Sequence, residues 1–322
     1  MKKPSKVITL TPAPSLDRTY RLSVLTPGEV HRARAVHSEF AGKGVNVTRA
    51  LLVGGVSSVA IAPIGRNDSD HLPEDGSLVP LETGQSVRVC ITLLEDGGQT
   101  TKINEQPPSL SSLEWDTLCE LTIDSITPGE SQWLLLAGTI PASESGRPLA
   151  LVELFRKARE KGVSIALDTA GPSLHSATRS GLPDFIKPNA LELAECVGRP
   201  LRTLGEVMDA AREVVSWGVG QVVVSLGSDG VLGATPNETV HAWTGPVTVL
   251  NTIGAGDASV AGYLARTVSH PGDFLGAVRQ GVAWGAHKVQ QETSQLRGLR
   301  GVPDTSFSLT PDRSTILREP GG

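Results

Sequence analysis

Val249-Leu-Asn-Thr-Ile-Gly-Ala-Gly-Asp-Ala-Ser-Val-Ala-Gly-Tyr263 is the stretch whose reading decides this chain. An apolar run enters Gly254-Ala255-Gly256-Asp257, and small residues follow at a helix start. Two glycines let the backbone turn sharply and approach a ligand. The N–H groups of Gly254, Ala255 and Gly256 then point from a helix N-terminus, which makes an anion site. Ala258, Ser259, Ala261 and Gly262 allow the new helix to pack closely on its neighbours. Asp257 is the anomaly, because a carboxylate beside a phosphate site repels its ligand unless it has a task. Phosphoryl transfer needs donors on the developing charge and an acceptor near the nucleophile's proton. The four residues supply both. A helix N-terminus favours the ionised carboxylate, so the task is mainly to orient a hydroxyl. The structural alternative is an acid that merely sits in a first helical turn. Other nucleotide motifs fail: Ser259 stands where the third glycine of GxGxxG belongs, and no GxxxxGK[ST] occurs.

Upstream of this segment the chain reads as strand, helix, strand. WLLLAG from Trp133, VSIALD from Val163 and QVVVSLG from Gln221 predict buried strands, and DFIKPN a shorter one. Leu151, Leu154, Phe155 and Ala158 keep helical spacing within 147–161, and helices are expected over 191–197, 203–217, 255–268 and 274–290. VLGA, TVHAW and VTVL read as further short strands, and the tail from Gly298 as irregular. Nearer the start, Val7–Leu10 and 57–61 predict strands and 45–53 a helix ended by Gly54-Gly55. Residues 86–94 and TTKIN flank EDGG as a hairpin. Repeated strand–helix–strand units predict an α/β fold, a mostly parallel sheet covered on both faces by helices in three layers. The alternating segments near 18–38 and 85–104 do not fit that core. They are expected to form a small β-sheet lid on a single domain spanning 1–322. Residues 66–87 look short and helix-poor, with Pro73 and Pro80 as breakers.

Composition narrows the function. The chain has 322 residues and a formal charge of −5 from 29 basic and 34 acidic residues. It lacks a Lys/Arg run, which argues against nucleic acid as the main partner. Cys90, Cys119 and Cys196 are odd in number and widely spaced, which fits a reducing cytoplasm. MKKPSKVITLTPAPS lacks the apolar core of an export signal, and no 18-residue apolar run is present, so neither export nor a membrane span is expected.

With NTIGAGD in place, the chain strongly resembles the PfkB (ribokinase-like) carbohydrate kinases over most of its length. TPAPSLD, AGKGVNVTRAL, SVRVCITL, TKINE, LLLAGTIP, ALDTAG, IKPNALEL, VVVSLGSDGVLGA and NTIGAGDASVAGYLA follow in one order. The pattern is most similar to the sugar-phosphate branch, which includes 1-phosphofructokinase and tagatose-6-phosphate kinase. The resemblance implies ATP and Mg²⁺, a homodimer through the lid strands, and roles for matching residues. Asp257 with the Gly254, Ala255 and Gly256 amides would be catalytic. Asp17 would hold sugar hydroxyls, while Gly42, Lys43 and Asn46 would cradle the sugar. Arg88 would grip the existing phosphate, with Thr139 nearby, and its planar fork suits that task. Lys187, Ser225, Gly227 and Gly230 would line the nucleotide. Asn189 and Glu192 would organise magnesium through waters, although the same spacing is a helix capping box. Asn251 is expected to be structural or to support the site from behind the residues that touch the ligand. Ala41 stands where the family often has glycine.

These readings point to phosphorylation of a sugar phosphate, with fructose 1-phosphate the first choice and tagatose 6-phosphate or fructose 6-phosphate the next. A kinase of a free sugar or nucleoside, a non-catalytic sensor and a nucleotide-dependent oxidoreductase are the competing readings. Loss of Arg88 without loss of turnover would favour the free sugar. Intact Asp257, Asn189 and Glu192 argue against the sensor, and the missing Rossmann glycines against the oxidoreductase.

Overall fold

Short apolar runs become the buried strands of the core. In the computed structural model, which describes residues 5–146 and 149–321, Leu134, Leu135 and Leu136 are wholly inaccessible to solvent. The first half of the chain forms β1 (Val7–Leu10), β2 (Ser15–Leu22), β3 (Ala35–Ala41), α1 (Lys43–Val53), β4 (Ser58–Gly65), β5 (Leu78–Thr83), β6 (Arg88–Glu95), β7 (Thr100–Asn104), α2 (Ser112–Asp124) and β8 (Trp133–Ala137). Next come α3 (Leu151–Glu160), β9 (Ser164–Asp168), α4 (Gly171–Arg179), β10 (Phe185–Ile186), α5 (Ala190–Val197), β11 (Leu201–Thr203) and α6 (Leu204–Ser216). The chain closes with β12 (Gln221–Ser225), β13 (Val231–Ala234), β14 (Thr239–Thr244), α7 (Ala255–Ser269), α8 (Phe274–Lys288), β15 (Thr305–Ser308) and β16 (Ile316–Gly321).

Ten strands make one sheet in the order β15-β14-β13-β12-β10-β9-β8-β1-β4-β5. From β5 to β12 every pairing is parallel, and β13, β14 and β15 add an antiparallel extension. One face carries α2 to α6, through residues such as Leu118, Phe155 and Val207. The other carries α1, α7 and α8, through Leu51, Tyr263 and Trp284. This is the three-layer ribokinase-like α/β arrangement. A separate four-stranded sheet, β3-β2-β6-β7, holds the alternating segments. Within it β2 runs parallel to β6 and antiparallel to β3.

Four expectations need correction. Val247–Leu250 form no strand, because the chain has already left the sheet and Val249 and Leu250 are exposed. The tail is not wholly irregular: β15 extends the main sheet beside β14, and β16 pairs with β11. Residues 66–87 are helix-poor as expected, with a 3₁₀ turn at Arg66–His71 and no α-helix, but they also carry β5, which was not expected. Pro80 does not break β5, because that strand lies at the sheet's edge, where a missing N–H is tolerated. Helices α2 and α4 were not foreseen, although Ser111 and Glu114 form a reciprocal capping box at the start of α2. Arg147, at the start of the predicted helical window, and the first four residues of the N-terminal stretch lie outside the described residues.

Candidate active site

The parallel strands deliver polar residues from their carboxyl ends, where open α/β sheets bind ligands. Asp168 is the last residue of β9, Lys187 follows β10, and Ser225 ends β12. Gly138 and Thr139 follow β8; Thr139 is exposed and makes no hydrogen bond among the described residues. A Cβ built on Gly138 would lie 3.8 Å from the Lys43 Cβ, so β8 and α1 meet closely there.

Asp257 sits in the first turn of α7 and is buried. Gly254 is the N-cap, with φ at +80°, a left-handed conformation that favours glycine. A Cβ there would also lie 2.0 Å from the Ser294 carbonyl oxygen. The cap residue supplies no side-chain acceptor. The Ala255 N–H, expected to face a ligand, turns back to the Thr252 carbonyl at 3.3 Å, while the Gly256 N–H has no such partner among the described residues and is left for an anion. Asn46, on α1, donates from Nδ2 to Asp257 Oδ2 at 2.8 Å. This bond joins the sugar-cradle segment to the catalytic candidate across 211 residues of sequence.

Charge explains how Asp257 is tuned. Burial first, and the negative charge of Asp168 second, push its carboxyl up to about 6, against Lys43, the Asn46 hydrogen bond and Lys187. Asp168 behaves oppositely. Burial alone would raise its pKa, but Lys187 and Lys43 hold it below the usual carboxylate range. Lys43 Nζ donates to Asp168 Oδ1 at 3.0 Å, and Lys187 Nζ lies 4.0 Å from the same oxygen. Asp168 raises the Lys43 ammonium pKa, so that cation stays charged. Lys187 is buried, and its Nζ would lie 3.5 Å from a Cβ built on Gly256. The result is one buried acid poised near neutrality and a second fixed as an anion between two ammonium groups.

The other predicted residues fall into two groups. On the four-stranded sheet, Asp17 pairs across to Cys90 on β6 and to Glu39 on β3, while Arg88 pairs with Ser15. Side chains two residues apart share a face, so Asp17 and Arg88 point the same way. Burial raises the Asp17 pKa, the Ser15 hydrogen bond at 2.6 Å lowers it, and Glu39 raises it again. The Arg88 guanidinium reaches the Ala13 carbonyl only at 3.5 Å, and its buried Nε has no partner among the described residues. Arg88 is thus a cation with donors to spare. Lys43, expected in the sugar cradle, is engaged by Asp168, and among the described residues no contact joins it to Arg88.

In the second group, Ser225 bridges Asn189, and its N–H donates to the Pro188 carbonyl at 3.0 Å. Gly227 and Gly230 take φ of +57° and +88° around the 3₁₀ turn Gly227–Asp229. Gly230 packs against β14, and Gly227 lies beside the Glu319 carboxylate of β16. Asn189 and Glu192 form the capping box in full, with both bonds at 2.8 Å. The box leaves Glu192 Oε1 and a water-accessible approach, and Glu192 lies within electrostatic reach of Lys43. Oxygen donors open to water fit magnesium, which keeps most of its hydration shell.

Gly42 precedes α1 with φ at +140°, and a Cβ there would lie 2.7 Å from Thr11 Cγ2. The missed residues are Asp168, Glu39 and Lys288. Asp168 carried a signal, a carboxylate ending an apolar strand. Lys288 carried none, since a lysine in the last turn of a helix is ordinary.

The sequence profile of "pfkB family carbohydrate kinase" matches residues 11–298. The chain is 31% identical over 268 residues to 1-phosphofructokinase of Rhodobacter capsulatus, covering 80% of this chain and 83% of the relative. It is 30% identical over 316 residues to 1-phosphofructokinase of Haloferax volcanii, covering 94% and 95%. Among solved structures, phosphofructokinase-2 from Escherichia coli in complex with potassium superposes with a TM-score of 0.83 at 28% identity, covering 92% of this chain and 96% of that one. The same protein in complex with fructose-6-phosphate gives 0.81 at 29%, covering 88% and 94%. A possible 1-phosphofructokinase from Thermotoga maritima gives 0.79 at 20% identity, covering 95% and 99%, and speaks for the fold alone.

Proposed function

Because this chain belongs to the pfkB family of carbohydrate kinases, we propose that it transfers the γ-phosphoryl group of ATP to fructose 1-phosphate, giving fructose 1,6-bisphosphate and ADP. The observation that carries the chemistry is Asp257: buried, held near neutrality, and fixed by Asn46 at the N-terminus of α7. The two curated 1-phosphofructokinase relatives support the choice of sugar phosphate.

In this reading the acceptor hydroxyl donates to Asp257, which aims it in line at the phosphorus atom. The carboxylate takes the proton late, as a loose transition state allows. First-turn N–H groups of α7 and the Lys187 ammonium receive the negative charge of the group in flight. Magnesium, held through waters at Asn189 and Glu192, would neutralise charge on the nucleotide phosphates. Asp17 accepts hydrogen bonds from sugar hydroxyls, and Arg88 uses its spare donors on the phosphate already present. Ser225, Gly227 and Gly230 flank the nucleotide. The four-stranded sheet acts as a lid that excludes water and limits ATP hydrolysis.

The test is ADP release with Mg·ATP against fructose 1-phosphate, fructose 6-phosphate, tagatose 6-phosphate, fructose, ribose and adenosine. Turnover on fructose 1-phosphate, lost by about 10² or more in Asp257→Asn, is the expected result. Turnover on a free sugar alone would remove the phosphate-gripping role from Arg88. ATP binding with no turnover on any acceptor would sink the catalytic reading.

A further inference from the structure

Lys288 ends α8 and is fully inaccessible to solvent. A buried ammonium is costly unless something nearby needs its charge. Among the described residues its one hydrogen-bond acceptor is the Asn251 carbonyl oxygen, at 3.1 Å. That carbonyl opens the turn into Gly254-Ala255-Gly256-Asp257. The same turn is tied to the end of α8 by other bonds. The N–H groups of Leu250 and Asn251 donate to the Val289 carbonyl at 2.7 and 3.1 Å. Asn251 Nδ2 donates to the Glu292 carbonyl at 2.9 Å, and Asn251 Oδ1 accepts from the Ile253 N–H at 2.9 Å. Lys288 therefore lies inside a knot formed by two loops. Its Cε is 3.5 Å from the place a Cβ would take on Gly254.

We infer that Lys288 is a positioning residue for phosphoryl transfer: its ammonium clamps the Asn251 carbonyl and sets a fixed positive charge behind Gly254 and Asp257. The inference rests on the kinase reading above. The charged groups facing Lys288 are Asp257 from α7 and Glu39 from β3. On the segment after α8, Glu292 turns instead to Arg21 at 3.0 Å, and the neighbouring His287 binds the Gly298 carbonyl. Glu39 in turn accepts from Ser294, whose own carbonyl lies against Gly254. One cation thus links the four-stranded sheet, the loop after α8 and the phosphate turn. Burial pulls its pKa down to about 8, while Asp257 and Glu39 hold it up. The clamp is charged at neutral pH and discharges in mildly alkaline solution.

The test compares wild type with Lys288→Met, which keeps the volume and removes the charge, and Lys288→Ala, which opens the site. Lys288→Met should lose about ten- to a hundredfold in kcat, the scale of a slightly misplaced reacting group. In kcat/KM, which reports the free enzyme, its acid limb should move to higher pH because Asp257 loses a favourable neighbour. The wild-type alkaline limb near pH 8 should disappear. Added ammonium or potassium, against sodium at equal ionic strength, should restore part of the lost kcat in Lys288→Ala. A folded Lys288→Met with wild-type kcat and both limbs in place overturns the inference. So does a loss seen only in Tm, with no rescue of Lys288→Ala by either cation. If the wild type itself turns over no sugar phosphate, the kinase reading has failed. The clamp is then judged by hydrogen exchange at 252–257, faster in Lys288→Met if it holds and unchanged if it does not.

Discussion

Asp257 and Asp168 are two carboxylates in one buried site with opposite electrostatic fates, and their difference sets the pH response. Asp257 must be ionised to accept from a hydroxyl, so kcat/KM should fall as pH drops through about 6. Its folded pKa lies above the ordinary aspartate value of 3.8, so the native state holds this proton more tightly than the unfolded chain. The resulting stability is fully present below about pH 4 and is lost as pH rises through about 6. A shift of that size corresponds to about 3 kcal/mol. Asp257→Asn removes the buried negative charge, so the inactive variant should melt at the same or a higher temperature than wild type above pH 7. Calorimetry beside the activity assay checks both statements. Asp168→Asn should do the reverse. Two ammonium groups lose their shared partner, and stability should drop by about 3 kcal/mol, the low end for breaking a buried pair. The acid limb should also move to lower pH, because Asp168 no longer opposes ionisation of Asp257.

At the level of elements, the phosphate turn depends on one conformation. Gly254→Ala puts a methyl group against the Ser294 carbonyl in a left-handed backbone. The turn must shift, and kcat should fall by about a hundredfold while circular dichroism stays that of the wild type. The elements also show where sequence reading succeeds. Apolar runs at β1, β8, β9 and β12 were legible because each strand is buried on both faces. Val247–Leu250 has the same composition but stays outside the sheet, since pairing depends on where the chain has been led. β15 and β16 lay hidden in a polar tail, since edge and two-stranded pairings need little apolar surface. Of the site, Asp257, Asn46 and Lys43 were found from motifs. Their coupling through Asp168 depends on β8, β9 and β10 lying side by side, which no local window records.

For the whole molecule, the four-stranded sheet leaves Val36 and Ile103 exposed, at 55% each. They lie on β3 and β7, its two outer strands, and an apolar sheet of this kind is commonly covered by a partner. We propose a homodimer through these strands. Sedimentation should give a dimer for wild type and a monomer for the Val36→Asp, Ile103→Asp double variant. The main sheet raises a different issue at its far end. β5 is its last strand, and Pro80 there offers no N–H to a newcomer. Replacing Pro80 with threonine would complete a smooth ribbon of unused donors and acceptors. The expected defect is colloidal: concentrated solutions of Pro80→Thr should turn cloudy on standing, while a dilute assay registers nothing unusual.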